Sequence, residues 1–291
     1  MIAAFEWMIA GRYLRARKGE RFVSVIAIFS LVGIALGVAT LIVVSSVMSG
    51  FQTEMVSRFL GVNGHISIEA LAGDKIDDYA PLVAGIQKIQ GVASAVPVLD
   101  GQVLLTTGRP GGSGGLVRGM TLADLRALHQ VSDHILTGSL NDFQGDDAIV
   151  IGVGYADSNR LNIGSRVTLV SPQGAATAFG TIPRVRGYKV VAVFDAGLST
   201  YNNSVVFLPL AAAQVFFQKP EAITGIEIRL DDPDQVGRVV DAIRPLLGQR
   251  KLLLRDWRHS NDQLISVLQI QKDTMFIVLG MIILVAAFNV I

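Results

Sequence analysis

The sequence predicts an α+β membrane protein, and three observations predict it. A run from Phe22 to Val47 carries no charge, a second apolar run from Met275 to Ile291 ends the chain, and the stretch between them is patterned as globular sequence. Two β-α-β units stand at the ends of that middle stretch and enclose a β-rich insertion. The hydrophobic content of 51% and mean hydropathy of +0.48 lie above those of a typical soluble chain, and the excess is concentrated in the two apolar runs.

At about 1.5 Å per helical residue, the first run is long enough to cross a hydrocarbon core roughly 30 Å thick. It follows some twenty residues rich in charge, which suits an uncleaved anchor better than a cleaved signal. Arg12, Arg15, Arg17, Lys18 and Arg21 precede it against Glu6 and Glu20, whereas Glu54 and Arg58 follow it. The positive-inside rule therefore puts the N-terminus in the cytoplasm and the large middle region outside it.

The expected organisation follows in chain order. Residues 1–21 place Phe5, Met8, Ile9 and Tyr13 or Leu14 at helical spacing, which suits a cytoplasmic amphipathic segment or a short cationic flank. Residues 22–60 form the first transmembrane helix and its continuation as a stalk, broken at Gly61 and Gly64. Residues 61–106 hold a strand from His65, a helix over Tyr79–Ile89, and one or two strands over Ala93–Thr106 broken at Asp100-Gly101. Residues 107–217 are the insertion, mostly short apolar strands with one or two helices such as Thr121–His129. Residues 218–256 repeat the pattern, with strand Thr224–Leu230, helix Pro233–Leu247 and strand Lys251–Asp256. Together the two units suggest one domain split in the ferredoxin-like manner. Residues 257–291 read as a second stalk helix leading into a truncated second transmembrane helix, of about 17 apolar residues at the lower limit for a span.

Several chemistries are disfavoured. The chain has no cysteine, which removes disulfides, thiolate nucleophiles and Cys-based metal sites. Beyond Arg21 there are 20 Lys and Arg against 22 Asp and Glu, a balance without the basic patch that nucleic acid requires. Gly108–Gly115 lacks the Gly-Lys-Ser/Thr ending of a phosphate loop and reads as a mobile loop, and Gly152 with Gly154 lacks the third glycine of a dinucleotide fingerprint and reads as a tight turn. His65, His129, His134 and His259 are scattered, so no metal site is expected. Asp231, Asp232 and Asp234 fit a helix cap rather than a calcium loop. No catalytic constellation can be assembled, so any energy input is expected from another subunit. Gly33 and Gly37 form a GxxxG pattern that permits close helix approach.

Four stretches carry a resemblance over essentially the whole chain. They are FEWMIAGRYLRARKGERFVSVIAIFSLVGIALGVATLIVVSSVMSGFQTEM at the start, IGSRVTLVSPQG, FGTIPRVRGYKVVAVF, and QIQKDTMFIVLGMIILVAAFNVI at the end. Together they resemble the LolC/LolE family of bacterial lipoprotein-releasing permeases, within the MacB-like class of ABC transporters.

The resemblance implies a periplasmic region made of a split porter domain with an inserted sabre domain, in the inner membrane. It implies a cytoplasmic ABC ATPase partner that binds ATP and Mg, a second permease subunit of the same or a sister chain, a lipoprotein substrate and the periplasmic carrier LolA. It also implies a hairpin that hooks the carrier, here Ser171–Arg186, with Pro172, Phe179, Ile182, Pro183, Arg184 and Arg186 as candidate carrier contacts. An ordinary hairpin loop is the alternative for the same residues. The later spans of the family, and the cytoplasmic loop that engages the ATPase, find no counterpart in the sequence, which is therefore not expected to transport by itself.

For lipid handling, the apolar outer end of the first span offers Val44, Val47, Met48 and Phe51, and packing against neighbouring helices would use the same residues. A MacB-like exporter, an FtsX-like regulator and a membrane-anchored two-lobed sensor are the alternative functions.

Overall fold

The computed structural model describes residues 21–71, 74–108, 111–177, 180–248, 250–257 and 262–290. The amphipathic segment expected at 1–21 lies outside these apart from Arg21, as do Phe179 and His259. The chain divides into two units, one of residues 1–55 with 262–291 and one of residues 56–261.

In the first unit, helix α1 (Arg21–Val62) begins the described chain and continues without a break into the second. Within it Leu31–Phe51 is long and apolar enough to cross a membrane by length and composition, and among the described residues it is the one stretch that is. The last helix, α9 (Asp262–Val290), carries a shorter apolar segment at Asp273–Ile282.

The second unit begins with β1 (Ile66–Ala70), α2 (Ala80–Ile86), β2 (Val92–Thr106), β3 (Ser113–Met120), α3 (Leu122–Ala127), α4 (His129–Ser132), β4 (Ile135–Gly138) and β5 (Ala148–Gly152). It continues with α5 (Val153–Asn159), β6 (Arg166–Thr177), β7 (Gly180–Phe194), α6 (Ser199–Ser204), β8 (Val205–Pro209) and α7 (Leu210–Phe217). The closing elements are β9 (Gly225–Leu230), α8 (Val236–Leu247) and β10 (Leu252–Asp256).

β10, β1, β9 and the first half of β2 form a four-stranded antiparallel sheet in that order. Along β9, Ile226, Ile228 and Leu230 are buried while Glu227 and Arg229 point to the other face, as a period of two requires. The buried face meets Leu82 and Ile86 of α2 and Val236, Val239, Val240, Ile243 and Leu247 of α8. The α8 residues recur at helical spacing, which gives that helix one apolar stripe. Asp232 accepts from the Asp234 amide at 2.9 Å, so the acidic cluster caps the single 3-10 turn that leads into α8.

The second half of β2 changes partners and joins a closed ring. β2 pairs β3, β3 pairs β8, β8 pairs β5, β5 pairs β7, β7 pairs β6, and β6 returns to β2. This six-stranded barrel is filled by inward residues of every strand, among them Leu105, Val117, Ile151, Leu169, Tyr188 and Val206, and by Phe216 and Phe217 of α7. A separate apolar layer on the outside packs Phe143, Phe194, Phe207 and Tyr201 with α3 and α4.

Four expectations are corrected. Of the one or two strands expected over Ala93–Thr106 there is one, β2, of 15 residues and unbroken at Asp100-Gly101; the glycine there makes room for the Phe217 ring, with which a Cβ would collide. The second half of the glycine-rich loop is strand: Ser113, Gly114 and Gly115 pair with β2, and a Cβ at Gly115 would strike Leu105. The insertion carries five short α-helices instead of one or two among the described residues. Helix Tyr79–Ile89 is shorter at Ala80–Ile86, where Gln87 already ends it.

Gly152 ends β5 against the backbone of Asn202, so a side chain there would collide with main chain that cannot rotate away. Gly152→Ala is therefore expected to destabilise the domain by about 2–4 kcal/mol. Thermal unfolding of the purified chain, followed by circular dichroism, checks the loss.

Candidate functional site

The expected hairpin exists as β6 and β7, which pair from Arg166↔Lys189 out to Thr177↔Gly180. Its ladder is interrupted between Ser171 and Ala175, where residues on β6 bulge and bend the hairpin. Cross-strand pairs put Ser171 beside Arg184, Leu169 beside Arg186 and Val167 beside Tyr188 on one face. That face runs into the barrel, since Val167, Leu169, Ser171 and Tyr188 are all fully buried.

The two arginines consequently stand near the base of the hairpin and are already engaged. Arg184 donates from Nη1 to the Phe216 carbonyl at 3.1 Å and from Nη2 to the Gln218 side chain, tying the hairpin to the end of α7. Arg186 lies 5.5 Å above the Tyr188 ring and 3.9 Å from Asp146. Burial raises the Tyr188 hydroxyl to about 12, with Arg186 opposing and Asp146 adding. The accessible apolar surface lies beside and beyond them: Val185, which pairs Val170 between the two arginines, is 64% exposed and Ile182, nearer the tip, is 61% exposed, with Pro172 and Pro183 also exposed. Val185 was not singled out by sequence, although its alternation with Arg184 and Arg186 was a signal that it faces the opposite way.

On α1, Val44, Val47 and Phe51 are exposed and Met48 is half-buried. No described heavy atom lies within 4 Å of where a Cβ would stand on Gly33 or Gly37, so the small residues there are not required by described packing within this chain. Among the described residues no group of three or more His, Asp or Glu is placed to hold a metal ion.

A second constellation, not anticipated from sequence, lies where the end of α1 meets β9 and the barrel. Arg118 of β3 is 7% exposed and makes a two-pronged bond to Asp100, Nε to Oδ1 at 3.1 Å and Nη2 to Oδ2 at 2.9 Å. The same Nη2 reaches Glu227 Oε1 at 3.4 Å, and Glu227 Oε2 accepts from the Gly64 amide at 2.7 Å. Arg229 donates to the Gly61 carbonyl at 3.3 Å and to the Ala127 carbonyl at 3.5 Å, so one guanidinium serves the C-terminal ends of α1 and α3. A Cβ at Gly64 would collide with the Glu227 carboxylate.

Burial raises the Glu227 carboxyl despite Arg118, the Gly64 amide and Arg229, with Asp100 adding to the rise. Burial opposes the charge on Arg118, but Asp100, Tyr201 and Glu227 outweigh it and hold the guanidinium well above its ordinary value. Next to this cluster the His65 Nδ1 accepts from the Leu230 amide at 2.9 Å, and burial and then Arg229 lower its basicity.

Fold and site thus define a helix-anchored domain built from an antiparallel sheet and a barrel, without a recognisable catalytic centre among the described residues. Residues 27–246 match the family model described as MacB-like periplasmic core domain. The chain is 33% identical over 99% of its length to the lipoprotein-releasing system transmembrane protein LolC of Neisseria meningitidis, covering 69% of that protein. It is 28% identical over 98% of its length to the corresponding LolE of Haemophilus influenzae, again covering 69%. Among solved structures, the periplasmic region of MacB from Actinobacillus actinomycetemcomitans aligns with a TM-score of 0.47 at 12% identity, over 71% of this chain and 94% of that one. The chain belongs to the family of the lipoprotein-releasing system transmembrane proteins LolC and LolE.

His65 yields a pH prediction. Its imidazole is less basic folded than unfolded, so the folded form excludes a proton that the unfolded chain takes up below about 6.5. Its contribution to stability is full above that value and is lost as pH falls through it. His65→Asn, whose Oδ1 can accept from Leu230 without titrating, is expected to flatten the fall in thermal midpoint between about pH 7 and 5. Parallel melts of both proteins across that range check this.

Proposed function

We propose that the chain is a permease subunit of an ABC transporter that draws lipoproteins from the outer leaflet of the bacterial inner membrane and passes them to the periplasmic carrier LolA. The single observation that carries this reading is the 33% identity to LolC over 99% of this chain and 69% of that protein. In this reading the N-terminus is cytoplasmic and the large unit is periplasmic. ATP and Mg are bound by a separate cytoplasmic ATPase, and a second permease subunit, identical or sister, completes the pair. The chain itself performs no chemistry.

The sheet order β10-β1-β9-β2, with α2 and α8 on one face, supports identifying residues 61–106 and 218–256 as the split ferredoxin-like porter domain, and the barrel with its outer layer as the sabre domain. Val44, Val47, Met48 and Phe51 offer acyl chains an apolar surface, with Met48 as the adaptable member. Gly33 and Gly37 are where a partner helix can approach closely.

The hairpin suits the carrier contact because it combines exposed Pro172, Ile182, Pro183 and Val185 with two arginines that brace its base. Arg184 and Arg186 act in this reading by fixing the angle of the hairpin as well as by adding charge, and Phe179 adds an aromatic anchor. Replacing Phe179, Arg184 and Arg186 together by alanine is expected to weaken binding of the carrier by about a hundredfold. Ile182→Asp alone, which leaves the brace intact, is expected to weaken it at least about tenfold. Calorimetry or surface binding with purified carrier measures both. Full affinity in both variants would contradict the hook, and no binding by the unmodified chain would favour the carrier-independent partner subunit of such a permease pair or a MacB-like exporter.

A further inference from the structure

The end of α1 is held to the periplasmic-type domain more firmly than a helix leading into a loop requires. Val62, 1% exposed, is inserted into the apolar layer beside Val98, Met120, Leu125 and Leu128. Within five residues the chain makes four polar bonds to β9: the Gly61 carbonyl accepts from Arg229, the Gly64 amide donates to Glu227, the His65 amide donates to the Ile228 carbonyl at 2.8 Å, and the His65 ring accepts from the Leu230 amide. β9 in turn is tied to the barrel through Glu227 and Arg118, and to α3 through Arg229 and the Ala127 carbonyl.

Two features argue that this arrangement is more than a cap. A helix C-terminus can be satisfied by water or by a left-handed glycine, yet here two half-buried charged side chains are used, for which desolvation offsets part of what their bonds contribute. Both Glu227 and Arg229 also bridge: Arg229 joins the Gly61 carbonyl of α1 to the Ala127 carbonyl at the end of α3, and Glu227 joins the Gly64 amide, two residues past α1, to Arg118 of β3. Rigid, bidentate groups of this kind fix direction as well as distance.

We propose that Arg229 and Glu227 are positioning residues that clamp the last turn of α1 to β3 and α3, so that displacement of the helix is delivered to the barrel rather than absorbed at Asn63-Gly64. The proposal rests on the permease reading, since it needs a partner that moves the helix.

The test uses the full chain assembled with its cytoplasmic ATPase and second permease subunit in lipid nanodiscs, comparing hydrogen exchange with and without ATP. In the unmodified complex ATP is expected to change exchange across residues 113–127 by at least about threefold. Arg229→Gln is expected to abolish that change and to lower lipoprotein transfer about tenfold, while ATP hydrolysis stays within about twofold. Arg229→Lys, which keeps the charge but can reach one carbonyl at a time, is expected to recover part of both.

Retention of the ATP-dependent change in Arg229→Gln, or its absence in the unmodified, hydrolysing complex, overturns the clamp and leaves the permease reading standing. A parallel loss of hydrolysis, transfer and thermal midpoint assigns Arg229 a purely structural role and overturns it as well. A chain that assembles with no ATPase overturns the permease reading, and the clamp falls with it.

Discussion

The bond between Arg118 and Asp100, extended to Glu227, is the constraint on which the domain depends. Burying a guanidinium is costly unless it is paired and hydrogen-bonded on all sides. Here the pairing partners come from two different layers, Asp100 from the strand shared by sheet and barrel, and Glu227 from the sheet alone. Withdrawing either layer would leave a buried charge exposed to an apolar surround, so sheet and barrel are held in one register. The same logic extends outward to Gly64, whose lack of a side chain lets its amide reach Glu227.

β2 performs the covalent half of this work. Its first residues pair β9 and its last pair β3 and β6, and the handover occurs around Leu99 and Gly101, where Phe217 closes the barrel end. From there the connection back to the sheet runs through Gln218 and Glu221, both in left-handed backbone, to Thr224, whose hydroxyl accepts from the Asp100 amide at 2.7 Å. Arg184 of the hairpin holds the start of that connection. In the proposed function such continuity has a use, because a hairpin that hooks a carrier works only if its base does not yield.

Much of this was legible in the chain. The charge-free run to Val47 announced a membrane-spanning helix by length alone, and the alternation in Thr224–Leu230 with the stripe in Pro233–Leu247 announced the second β-α-β unit. The barrel was not legible, because its closure depends on β6 meeting β2 across more than sixty residues of intervening chain, which no local pattern encodes. The charge cluster was missed for the same reason: Arg118 and Glu227 are 109 residues apart. The signals were present but weak. Arg118 is the lone charge in the apolar strand LVRGM, and Glu227 and Arg229 occupy the whole outer face of a strand whose other face is isoleucine and leucine. At the hairpin, sequence grouped Pro172, Ile182, Pro183, Arg184 and Arg186 in one segment but did not reveal that Arg184 bonds back to the end of α7 and that Arg186 lies beside Asp146, since spacing along a strand does not say how far the strand extends beyond its barrel.

The most direct measurement is a double-mutant cycle on Arg118→Met and Glu227→Gln, read by chemical unfolding of the full chain. The account predicts coupling, with the double variant about 1–3 kcal/mol more stable than the sum of the single losses implies, because either single change takes away a charge that offsets the desolvation of the other. Additive losses within about 0.5 kcal/mol would contradict it, and would mean that sheet and barrel are joined by β2 and apolar packing alone.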